Sequence, residues 1–84
     1  MTEHINIKIR LFSHARYHFG KNEVTIALPR GSSIAEIAAE LRSMGGTKFK
    51  KVPFRIARNH KIAGDNEIIR EGDELACIPP VQGG

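Results

Sequence analysis

The chain of 84 residues has one cysteine, Cys77. One thiol cannot close an internal disulfide, and a cysteine-based zinc site needs several more ligands, so a reducing compartment, the cytoplasm, is expected. Long apolar runs are also missing: no stretch approaches the ~20 residues of a membrane helix. Met1 to Arg10 alternates polar and apolar residues instead of a basic start and an apolar run, so it does not read as a secretory signal. Neither the glycine and lysine spacing of a phosphate loop nor a nucleic-acid-binding motif is present, and no nucleic-acid or membrane partner is expected. Acids are missing from a long central stretch. Between Leu41 and Gly64 stand Arg42, Lys48, Lys50, Lys51, Arg55, Arg58 and Lys61 with no Asp or Glu, whereas from Asp65 onward five acids face one base, Arg70. Such polarity either steers an acidic or phosphate-bearing partner or is a solvated basic face.

What is present reads as one small domain. Hydrophobic residues make up 40% and charged residues 26%, with 8 Gly and 4 Pro, a globular profile with room for a modest core and not for a deep catalytic cleft. In HINIKIRLF, Ile5, Ile7, Ile9 and Leu11 alternate with Asn6, Lys8, Arg10 and Phe12, which predicts a strand with one face on a core. SHARYHFGKN predicts one or two helical turns ending at Gly20, and EVTIALP a second strand that forms a hairpin with the first. The strongest helix signal is SIAEIAAELRSMGG, where Ile34, Ile37, Ala38 and Leu41 line one face. Ser33 and Glu36 form a capping box at its start, and Gly45 and Gly46 are expected to end it. A basic irregular connection, TKFKKVP, leads to a strand in FRIAR, a brief strand near Ile62 and a last strand through Leu75 to Ile78. This order predicts an α+β domain, a mixed sheet with a main helix on one face. The first and last strands, the most apolar, are expected to be its central pair.

The last strand is followed by Pro79, Pro80, Val81, Gln82, Gly83 and Gly84. The prolines cannot continue a central ladder and hold the exit extended. From Pro79 to Gly84 the reach is roughly 20 Å at ~3.3 Å per residue, enough to enter a partner's pocket. Two glycines without side chains can thread a narrow tunnel. His14 and His18, four apart on a helical turn, are too few to define a metal site, and none is expected. Cys77 shares a strand face with Leu75 and reads as a buried small hydrophobe.

LFSHARYHFG, the helix after LPRGSSIAEI, RIARNH, EGDELACIPPV and the closing GG together resemble the ubiquitin-like sulfur carriers, specifically the molybdopterin synthase small-subunit family, over nearly the whole chain. The most specific stretch is GDELACIPPVQGG. The resemblance implies a β-grasp fold, a mixed sheet curled around one main helix, spanning 1–84 as one domain with 79–84 as a flexible extended tail. It also implies that an ATP-dependent adenylating enzyme converts the Gly84 carboxylate to an acyl-adenylate, which a sulfur donor turns into a thiocarboxylate. The carrier then delivers sulfur to a cyclic pterin phosphate precursor inside the large synthase subunit, in a heterotetramer of two large and two small subunits. No resident cofactor is implied, since the adenylate and thiocarboxylate are covalent states of the tail, and the catalytic side chains belong to the partner. Phe12, Ile62 and Ile78 match an apolar partner-binding patch of the family. Sulfur transfer to thiamine, cysteine or tRNA, or conjugation of Gly84 to a target lysine as a ubiquitin-like modifier, would need the same activated glycine. The chain departs from the family's pattern at Arg58 and His60 and in its basic balance.

Overall fold

The computed structural model describes residues 3–49 and 53–78. In chain order the elements are β1 (His4–Leu11), α1 (Ser13–Phe19), β2 (Glu23–Pro29), α2 (Ile34–Phe49), β3 (Arg55–Arg58), β4 (Lys61–Ile62) and β5 (Glu74–Ile78). The five strands form one sheet in the order β2-β1-β5-β3-β4. β1 pairs antiparallel with β2 and parallel with β5, and β3 pairs antiparallel with both β5 and β4. The first and last strands are therefore neighbours at the centre, as their apolar content predicts. The fold is a β-grasp.

Strict alternation in β1 sets the core: Ile5, Ile7, Ile9 and Leu11 are buried and the residues between them exposed. Val24 and Ile26 of β2, Ile56 of β3 and Leu75 and Cys77 of β5 are buried with them. Ile34, Ile37 and Leu41 of α2 close the core from one side, and among the described residues no helix covers the sheet's other face.

The capping box forms as expected. The Glu36 amide donates to Ser33 Oγ at 3.3 Å and the Ser33 amide donates to Glu36 Oε1 at 3.3 Å. The next amides, of Ile34 and Ala35, donate to the carbonyls of Glu67 (2.9 Å) and Asp65 (3.1 Å), which ties the start of α2 to the loop before β5.

The other end of α2 corrects the sequence reading. Gly46 does break the helix, at φ 79° and ψ −173°, a region essentially reserved for glycine. Helical geometry then resumes through Phe49, where an irregular basic connection was expected. The reason is Phe49, which is fully buried and packs against Phe19 and Phe54 at ring distances of 5.1 and 5.4 Å. The extra turn drives this ring into the core. Gly45 makes room for it: a Cβ there would stand 2.5 Å from Phe49 Cβ.

α1 is held to α2 by His18, whose Nε2 donates to the Gly45 carbonyl at 2.7 Å and whose ring lies 5.1 Å from that of Phe49. The β3–β4 hairpin turns on Asn59 (φ 50°) and His60 (φ 75°), the two positive φ values of a tight two-residue turn. Asn59 also bonds β5: its amide donates to the Glu74 carbonyl (2.8 Å) and its Oδ1 accepts the Glu74 amide (3.1 Å). Half-buried Arg58 pairs with Asp73 (3.0 Å) and Glu67 (3.3 Å), fastening β3 to the 65–74 loop.

Candidate functional site: the end of the central strand

β5 runs between β1 and β3, so the chain leaves the sheet from its middle strand. Its last described residue, Ile78, stands opposite Arg55, and Cys77 stands between Leu11 and Ile56. The tail residues read from the sequence, Pro79, Pro80, Val81, Gln82, Gly83 and Gly84, lie outside the described residues.

On the open face of the sheet, register brings separate residues into rows. Ala76 lies between Arg10 and Ala57, and Ala57 is paired with Ile62. Two residues further toward the exit, Ile78 is paired with Arg55 and Phe12 follows Leu11 at the end of β1. These residues form an open depression of about 350 Å³ lined by Arg10, Phe12, Ala57, His60, Ile62, Glu74, Leu75, Ala76 and Ile78. Phe12 is 43% exposed and Ile62 53% exposed, so neither belongs to the core, and Ile78 is half-buried beside them.

All three apolar residues singled out in the sequence thus meet at one place, although they lie far apart along the chain. Sequence reasoning did not pick out Ala57 and Ala76, whose small side chains leave the floor of the depression shallow, or Arg10 and His60 on its rim. The available signal was parity: Arg10, Ala57 and Ala76 each occupy an outward position of a strand, while His60 sits in the β3–β4 turn. Without the pairing, parity cannot say which outward residues are neighbours.

Cys77 points the other way. It is fully buried, and burial pushes its thiol up to about 12, an effect the Arg42 guanidinium partly opposes. A neutral, enclosed thiol is a poor nucleophile, so Cys77 serves packing. His14 is exposed, and the His18 ring is engaged with Gly45. No helix among the described residues is long and apolar enough to cross a membrane.

A mixed sheet grasping one main helix, with an apolar outer patch at the exit of the central strand, is a ubiquitin-like architecture. An archaeal ubiquitin from Caldiarchaeum subterraneum superposes with a TM-score of 0.67 over 98% of this chain and all of that one, at 19% identity. The ThiS family model matches residues 9–84, and the chain belongs to the ThiS family.

Among curated relatives, the molybdopterin synthase sulfur carrier subunit of Arabidopsis thaliana is 32% identical, across 99% of this chain and 88% of the relative. Among solved structures, a Pyrococcus furiosus protein described as subunit 1 of a molybdopterin converting factor gives a TM-score of 0.83 at 25% identity, covering 92% of this chain and 99% of its own. A chain from a Helicobacter pylori complex of molybdopterin-converting factor subunits 1 and 2 gives 0.63 at 23% identity, covering 95% of this chain and 100% of its own.

Proposed function

We propose that the chain is the sulfur carrier of a molybdopterin synthase, working in the cytoplasm, with Gly84 as its reactive end. The observation that carries this reading is the position of Ile78: the central strand delivers the chain beside an exposed apolar patch, five residues before the first glycine of the pair Gly83–Gly84. Family membership and the curated relative support it.

The chemistry divides between carrier and partners. In an adenylating enzyme, an oxygen of the Gly84 carboxylate attacks the α-phosphorus of ATP and pyrophosphate leaves, so the acyl carbon gains a good leaving group. Sulfide-level sulfur, written as HS⁻, attacks that carbon, the acyl–O bond to AMP breaks and AMP departs, and loss of the S–H proton leaves a thiocarboxylate. Inside a large synthase subunit this sulfur passes to the pterin precursor, and water restores the carboxylate. A Helicobacter pylori complex of subunits 1 and 2 supports a large-subunit partner for this chain; an assembly of two large and two small subunits is the form the family resemblance implies.

The carrier's own residues bind and orient. Phe12, Ile62 and Ile78 bury apolar surface against the partner and fix where the tail begins. Pro79 and Pro80 restrict the torsions of the exit, so less freedom is lost when the tail is threaded. Gly83 and Gly84 pass a narrow channel and accept the backbone torsions the partner imposes.

Intact mass of the protein, incubated with its activating enzyme, ATP and sulfide, should show one oxygen replaced by sulfur. The change should persist in Cys77→Ala and vanish when Gly84 is deleted, with no change in melting temperature. Lysine-linked higher-mass species carrying this chain, without the sulfur-bearing form, would instead identify a protein modifier and overturn the reading.

A further inference from the structure

The fold turns the uneven charge of the sequence into a charge axis along the sheet. Toward the exit end, Arg10 and Arg55 stand on the two strands flanking β5, opposite Ala76 and Ile78 respectively. Arg16 lies on α1, Lys21 just after it, and Arg42 on α2 over the Phe54 ring at 4.4 Å. Glu23 and Glu40 are the acids of this half. The opposite end gathers Glu3, Asp65, Glu67, Glu71 and Asp73, because β1 begins there and the loop before β5 wraps the start of α2, whereas Glu74, between the two ends, lines the depression with Arg10 and lies 3.6 Å from His60. That end also neutralises itself: Arg30 pairs with Glu3 (3.3 Å) and Glu71 (3.9 Å), and Arg58 with Glu67 and Asp73. Exposed Arg10 and Arg55 make no ion pair with a described residue.

We infer that the rim of the exit end docks on an acidic protein surface, a partner pocket whose mouth carries carboxylates around the entrance for the tail. The inference rests on the carrier reading and names the partner's chemistry at the same site. A protein surface is favoured over nucleic acid because the cations border an apolar patch, Phe12 with Ile62 and Ile78, instead of forming a continuous basic stripe. The charge axis orients the molecule during encounter with its tail end leading, so the tail meets the pocket mouth before the apolar patch seats. Steering of this kind acts on the rate of association and is screened by salt.

The test is stopped-flow association of the full chain with the purified large subunit of molybdopterin synthase from the same source, at low and high ionic strength. The wild-type on-rate should fall roughly tenfold or more as salt rises, and Arg10→Glu/Arg55→Glu should lower the low-salt on-rate by a similar factor, with the off-rate changed by no more than about threefold. Glu71→Gln, at the far end, should leave the on-rate within about twofold of wild type. A complex whose on-rate ignores both salt and the double substitution overturns the steering alone. Failure to associate at any salt overturns the carrier reading and the steering with it. Salt-sensitive binding to bulk tRNA that displaces the subunit also overturns the inference, since the cations would then be serving a polyanion.

Discussion

Gly45 shows how much a single position can hold. Replacing a helical glycine by alanine ordinarily stabilises by about 1 kcal/mol through backbone entropy. Here the new methyl would meet Phe49 Cβ at 2.5 Å, and Phe49 is locked in the core and cannot swing away. Overpacking of this kind costs about 1 to 3 kcal/mol, so Gly45→Ala should lower stability in denaturant titration where propensity alone would raise it. Cys77 gives a second expectation. Its thiol is raised from 9.0 to about 12 in the folded protein, so above pH 9 the unfolded chain loses this proton first. The neutral thiol's contribution is intact below pH 9 and is lost as pH rises toward 12. Stability measured across that window should fall, and Cys77→Ala should flatten the decline.

Among the elements, α2 is anchored at its start by interactions made within the sequence and beyond it. The Ser33–Glu36 box is local, while the carbonyls of Asp65 and Glu67 arrive from the loop before β5. Ser33→Ala should cost about 1 kcal/mol, seen as a drop in melting temperature of roughly 4 to 8 °C in a domain of this size, because the long-range bonds keep the helix in place when the local cap is gone. The box was legible because its residues are three apart. The break at Gly46 was legible too, since glycine alone tolerates that backbone. The turn from Thr47 to Phe49 was not, because the force behind it is a pocket formed by Phe19 and Phe54 from other parts of the chain.

The whole molecule couples its core to one outer face. The alternation that buries Ile5 to Leu11 leaves the other side of β1, β5 and β3 without a helix among the described residues, and Phe12, Ile62 and Ile78 meet there. Ile62→Asp should leave the melting temperature nearly unchanged, within about 0.5 kcal/mol, because the side chain is 53% exposed. It should weaken binding to the large subunit by about 1 to 2 kcal/mol or more in calorimetric titration, and Phe12→Asp should do the same. Retained affinity in both would move the docking surface elsewhere.

By itself the sequence determined the strands, the main helix with its cap, and the glycine-ended segment after the last strand, because each depends on periodicity or on residues a few positions apart. The apolar content of the first and last strands also pointed to their central place, but only the tertiary structure decided that β3 lies on the far side of β5, that Phe12, Ile62 and Ile78 share one depression, and that cations stand where the chain leaves the sheet. Those facts depend on strand pairing, which brings together residues as distant as Arg10 and Ala76, and no local pattern encodes which strand lies beside which.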